Sequence, residues 1–211
     1  MIHPRMQAGW LVAALLAGAA VGAAQEGSPP AVDEAKARAL AHLEQSMEKF
    51  LSAIDGLSDE QWRWKPAPDR WSVGECAEHI ARAEPFLRSL IQGATVEASA
   101  AELLAGSHGK EETVLRFITD RSQKFQAPET ANPAQSGATR PRQALERDFL
   151  FERGRTYEFV SALDDLRGHA RRHPAFEELD LSGWVLFLSG HTERHTLQLE
   201  EVKASAGFPA G

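Results

Sequence analysis

The chain of 211 residues contains one cysteine, Cys76. No intrachain disulfide can therefore form, and the fold must rest on packing or on a metal. Positive charge is also scarce: 23 Lys and Arg stand against 30 Asp and Glu, a net charge of −7, with no dense basic stripe. That balance argues against a nucleic-acid-binding surface. Period-2 alternation is almost absent and no segment repeats at a fixed period, which argues against a sheet protein and a solenoid. The Gly-rich phosphate loop, the GxSxG elbow and the HExxH motif are missing as well. What remains is an ordinary globular composition, 43% hydrophobic and 25% charged. The length suits one domain with a sizeable core.

No apolar run reaches the ~20 residues that a membrane-spanning helix needs, so no stable membrane span is expected. The run Trp10–Ala24 falls short of it. Arg5 is the one charged side chain before that run. The run ends in small residues, with Ala24 and Gly22, or Ala23 and Val21, at the positions that signal peptidase reads. This layout predicts a signal peptide over 1–24, a disordered linker over 25–32 and a folded domain over 33–209. The protein is accordingly expected to be exported, periplasmic or secreted. An uncleaved N-terminal anchor is the alternative reading. In an oxidising compartment the lone Cys76 must be buried or used.

The rest reads as helices. A first pattern, Asp33–Ile54, carries the apolar stripe Leu40, Leu43, Met47, Phe50, Leu51 and Ile54. A second spans Val73–Gln92. Ser72 and Glu75 make an S-x-x-E capping box at its start, Pro85 predicts a kink, and Gly93 marks its end. A third spans Arg142–Leu166, with Pro141 at its first turn and Leu145, Phe149, Thr156, Val160 and Leu163 along one side. A fourth spans Gly183–Ala206, capped by Ser182 and stopped by Gly207 and Pro209. Shorter pieces, Glu97–Ala105 and Lys110–Phe125, fall between the second and third, followed by a loop over Ala127–Thr139. Trp62, Trp64 and Trp71 sit in a Pro-containing stretch that predicts a loop packed on the bundle. The expected fold is all-α, a four-helix bundle with short helices inserted between its second and third core helices.

Histidines interrupt two of these stripes. The inward face of the fourth helix runs Trp184, Leu188, His191, His195, Leu199, Val202, against an outward set of Thr192, Glu193, Arg194, Gln198 and Glu201. Spacing of four places His191 and His195 side by side. In the second helix His79 takes an apolar slot in the series Cys76, His79, Ala83, Phe86, Leu90. Buried imidazoles need partners for both ring nitrogens. From the residues alone, a hydrogen-bonded core and a shared metal ion both meet that need. Cys76, one turn before His79, reads as a small buried residue, with a fourth ligand as the other reading. His42 falls on the polar side of the first helix, and His108, His169 and His173 fall in loops expected to be solvated.

The segments Trp71-Ser-Val-Gly-Glu-Cys-Ala-Glu-His79-Ile and His191-Thr-Glu-Arg-His195-Thr-Leu-Gln198-Leu-Glu-Glu-Val202, with the loop His173–Trp184, resemble the DinB-like (YfiT-like) family of four-helix bundles. The resemblance runs from about Lys36 to Pro209. It implies a divalent metal held by three histidines, mapping to His79, His191 and His195. Relatives include thiol-dependent S-transferases, an isomerase using low-molecular-weight thiols, and proteins labelled metal-dependent hydrolases. Export departs from the transferases, whose thiol cofactors are mainly cytoplasmic. The resemblance thus implies a metal-dependent hydrolase or thiol-dependent transferase acting on a small-molecule substrate. A non-catalytic binding or structural bundle is the alternative.

Zn²⁺ or Ni²⁺ is the ion expected first, and imidazole also suits Co²⁺ or Fe²⁺. Glu75, Asp148, Glu152 and His173 are candidates for a general base by position alone. The substrate pocket should lie at the histidine end, walled by the Trp loop and the segment after Arg171. A homodimer is a further expectation.

Overall fold

The computed structural model describes residues 34–96, 101–125, 132–133 and 140–211. The expected signal peptide, the linker and most of the loop over Ala127–Thr139 lie outside the described residues. The described elements run α1 (Glu34–Ile54), α2 (Asp59–Arg63), α3 (Val73–Val96), α4 (Ala101–Ser107), α5 (Glu111–Thr119), α6 (Arg142–Ala162), β1 (Ala170–His173), β2 (Glu177–Asp180) and α7 (Leu181–Lys203). The bundle is formed by α1, α3, α6 and α7. Helices α1 and α3 each pack against both α6 and α7, and α5 packs against the outside of α7. No helix among the described residues is long and apolar enough to cross a membrane.

Two apolar clusters fill the bundle. One gathers Leu43, Leu87, Ile91, Val160 and Leu188 with the hairpin's Phe176 and Leu179. The other gathers Phe50, Trp62, Val73, Phe149, Leu199 and Val202. A polar hub ties all four core helices together. Arg153 of α6 donates Nε to Glu84 Oε1 at 2.9 Å and Nη2 to Glu84 Oε2 at 2.8 Å on α3. Its Nη1 donates to Leu43 O at 2.7 Å and Ser46 Oγ at 2.9 Å on α1. Its Nη2 also reaches Thr192 Oγ1 of α7 at 2.7 Å. Both charged residues are buried, so every one of these bonds offsets desolvation.

Four expectations need correction. The all-α four-helix bundle stands, but the segment before the last helix, read as a loop, holds an antiparallel hairpin of β1 and β2, with Ala170 opposite Asp180 and His173 opposite Glu177. Four-residue strands rich in charge leave too little alternation to be read. The second core helix continues past Gly93 to Val96. There Gly93 makes room for a side chain, since a Cβ would meet Arg171 Nη1 at 2.9 Å, and that nitrogen donates to Leu90 O at 2.9 Å. The cap of α7 is Asp180, which accepts the Gly183 N–H at 2.8 Å, and not Ser182. Trp62 belongs to the short helix α2, where it is buried and donates Nε1–H to Arg140 O at 2.9 Å.

The outward face of α7 is also less outward than its polarity suggests. Thr192 and Arg194 are buried. Thr192 joins the Arg153 hub, and Arg194 donates to the carbonyls of Ile118, Asp120 and Gln123 at and beyond the end of α5. With α1, α3 and α5 all packed against it, α7 is the central helix. Conversely, Phe86 of the α3 stripe is about half exposed.

Candidate metal centre

The position of His79 is set by the start of α3. Ser72 Oγ accepts the Glu75 N–H at 3.1 Å, and Glu75 Oε2 accepts the Ser72 N–H at 2.8 Å. This reciprocal cap satisfies two donors and fixes the first turn. His79 follows one turn later and faces α7. His191 and His195 meet it from adjacent turns of α7. His79 Nε2 lies 3.1 Å from His191 Nε2. The ring centroids are 4.9 Å apart for His79 and His191, 4.3 Å for His79 and His195, and 4.5 Å for His191 and His195. One nitrogen of each ring lies within 4.8 Å of the other two. His79 and His195 are buried, and His191 is partly exposed.

The donor set fits a metal. Arms of ~2.0–2.1 Å at a tetrahedral zinc place two nitrogens ~3.3 Å apart, close to the distance between the paired Nε2 atoms. The trio contains no carboxylate and no cation. Desolvation, with the His79 ring next, holds His191 well below the usual imidazole pKa. Desolvation and the neighbouring His191 do the same for His195. Both are thus kept in the neutral form that coordinates. His195 Nδ1 lies 2.8 Å from Gln198 Oε1. Since the amide oxygen only accepts, Nδ1 carries the proton and Nε2 keeps its lone pair. The Trp71 ring lies beside two of the three, 5.1 Å from His79 and 6.1 Å from His195 by centroid.

The histidines line a cavity of about 780 Å³. Its walls come from the loop Asp69–Trp71, from α3 and α5, and from His173, Pro174 and Ala175 at the hairpin turn. The location expected from sequence, between the Trp loop and the segment after Arg171, is therefore where the cavity lies. Phe117, Phe187 and Trp184 make much of its wall apolar. Asp69 is the one carboxylate among the described residues that line it.

The other named residues fall elsewhere or behave differently. Cys76 is buried, and burial pushes its thiol pKa strongly up, the state of an inert core thiol. Glu75 is committed to the cap and to Lys65 at 2.8 Å. Asp148 pairs with Arg140 and Glu152 with Arg88, and neither lines the cavity. His42 is not on a solvent face: it bridges to α7 through Ser189 Oγ at 2.8 Å and Glu193 at 3.4 Å. His108 pairs with Asp180 at 3.0 Å. His173 is not solvated. It is buried, with its ring 4.9, 4.7 and 4.5 Å from those of Phe176, Trp184 and Phe187. Burial lowers its pKa to about 4.

Sequence reasoning did not single out Gln198 or Asp69. Gln198 carried a usable signal, since a residue three beyond a ligand on a helix reaches back to it. Asp69 lies in a loop, where no periodicity reports direction.

Bundle, trio and cavity together define a class: helical proteins with a three-imidazole centre able to hold a metal ion at the wall of a cavity. The chain belongs to the DinB superfamily, whose family model matches residues 42–199. It is 27% identical over 150 residues to the uncharacterised protein YuaE of Bacillus subtilis (strain 168), covering 71% of this chain and 88% of YuaE. Its fold resembles that of YfiT from Bacillus subtilis, a protein described as a probable metal-dependent hydrolase with an unusual four-helix bundle topology. That likeness has a TM-score of 0.57 at 15% identity, over 86% of this chain and 94% of YfiT.

Proposed function

We propose that this protein is an exported, metal-dependent enzyme that holds Zn²⁺ or Ni²⁺ through His79, His191 and His195 and acts on a small molecule in the adjoining cavity. Hydrolysis is the first reading and transfer to a thiol the second. The observation that carries it is the meeting of the three rings at a cavity wall, with neutral imidazole favoured at His191 and His195. The description of YfiT as a probable metal-dependent hydrolase supports the same reading. Export rests on the pattern of residues 1–24.

His79, His191 and His195 would hold the ion, which would supply Lewis acidity to a bound molecule. The chain's own groups do the rest. Gln198 fixes the ring of His195 and its tautomer. Trp71 and the aromatic wall lower the polarity around the trio, which strengthens polar interactions made there. Asp69 is the carboxylate placed to take a proton at the cavity.

The experiment is elemental analysis of untagged protein, followed by metal reconstitution and a screen of esters, amides and thiol–electrophile pairs. About one ion per chain, with metal-dependent turnover of one class, is expected. Less than ~0.2 ion per chain after supplementation overturns the metal reading. Stoichiometric metal with no turnover of any class overturns the catalytic one in favour of a binding protein.

A further inference from the structure

His173 sits at the opposite kind of surface from the metal trio, in the apolar part of the same cavity, and its protonation pattern is dictated by one backbone bond. Its Nδ1 lies 3.1 Å from the Ala175 N–H. An amide N–H only donates, so Nδ1 must supply the lone pair. The single proton of the neutral ring is then on Nε2. Among the described residues no hydrogen-bond partner is present for that N–H, and the residue lines the cavity. The ring cannot turn over without losing the Ala175 bond, and it is boxed by Phe176, Trp184 and Phe187. A second proton would have to displace the Ala175 N–H and charge a ring packed among aromatics, a state that burial opposes.

We propose that His173 is a specificity residue: a fixed, neutral donor whose Nε2–H takes an acceptor oxygen of the ligand while the ligand's apolar body lies against Phe117, Phe187 and Trp184. The ligand class is a small, mainly apolar molecule with a carbonyl-type oxygen. This excludes His173 as the general base, because neither ring nitrogen has a lone pair to give. The inference deepens the functional reading, since it takes the cavity as the substrate chamber of that enzyme. A donor left unpaired in an apolar chamber penalises ligands that lack an acceptor, and this asymmetry is the source of selection.

The test uses the full chain stripped of metal, so that binding does not depend on the ion. Two fluorescent probes are compared: the naphthyl ketone prodan and dimethylaminonaphthalene, which has the same aromatic body without the ketone. The native protein should bind the ketone roughly tenfold more tightly, the effect of one hydrogen bond made to a buried donor. H173F should bind both probes equally, and H173Q, whose amide N–H can donate, should keep part of the preference. Nitrogen-15 NMR of the native protein should show a protonated Nε2 and an unprotonated, hydrogen-bonded Nδ1, whatever the folding of the variants. An unprotonated Nε2, an equal preference in native protein and H173F, or no binding of either probe overturns the proposal. Metal content is measured separately, so a failure here leaves the metal centre standing, and loss of the metal centre leaves the probe preference intact.

Discussion

Gln198 holds His195 by accepting its Nδ1–H across 2.8 Å, three residues further along α7. One bond thus decides which nitrogen of His195 is left for the trio. Partners of this kind change metal affinity about 10–100-fold when removed. Q198L should weaken zinc binding by that factor, measured by competition with a chromophoric chelator, with helicity unchanged. Q198E should tighten it, because a carboxylate raises the basicity of the ring. An unchanged affinity in both variants would separate Gln198 from the centre.

Removing a ligand should abolish the site without unfolding the bundle. The two apolar clusters and the Arg153 hub do not include the three histidines. H195A should therefore bind no more than a trace of metal, yet remain helical and soluble. Circular dichroism and gel filtration beside metal analysis check this. An aggregated H195A would show that the trio is needed for folding, as in proteins whose metal binding is their folding energy.

The polar hub gives a larger effect on stability than any ligand. Arg153 and Glu84 share two hydrogen bonds in a dry setting. E84Q or R153M leaves one charge buried and poorly paired, which costs about 3–5 kcal/mol. Urea unfolding should show the loss for each single variant. The double variant, E84Q with R153M, should lose less than the sum, since no orphan charge remains.

These residues also show what the sequence could and could not convey. His79, His191 and His195 were legible because each breaks an apolar stripe at helical spacing, and burial is what makes such a break meaningful. Ser72 and Glu75 were legible because a capping box is a local motif. Arg153 was not: it continues the series of Phe149 and Thr156, but a charge in a stripe reads as solvent unless its partner, 69 positions away at Glu84, is known. The polar face of α7 misled for the same reason, because Thr192 and Arg194 are satisfied by α5 and α6 rather than by water. The hairpin was hidden by its brevity, and with it the burial of His173.

Gly190 of α7 lies directly against α5. A Cβ there would lie 2.4 Å from Ile118 Cγ2 and 3.4 Å from Leu115 Cδ2. Ile118 is buried and branched, so α5 must shift to admit even a methyl group. G190A should cost about 1–3 kcal/mol, the range for overpacking. Because Phe117 and Ile118 of α5 line the cavity, the variant should also weaken prodan binding. A G190A protein as stable as the native one would mean that α5 is free to move.

Acid should destabilise the metal-free protein before it attacks the hydrophobic core. His191 and His195 are held well below the usual imidazole pKa, and His173 is lowered to about 4, by desolvation in each case first. The unfolded chain titrates near ~6.5. Between that value and the folded ones the unfolded state binds more protons, so stability falls as pH falls. It is fully present above ~6.5, and each lowered histidine then costs about 1.4 kcal/mol per pH unit until its own folded pKa is reached. The steepest loss is expected from about pH 6.5 down to about pH 4, where His173 begins to charge while folded. Urea midpoints of the stripped protein at steps across that window should drop continuously. The metal-loaded protein should drop more steeply still, because protons must also displace the ion from imidazole. Replacing His173 by Gln should shallow the slope of the stripped protein by one group's share, and an unchanged slope would place its titration outside the window.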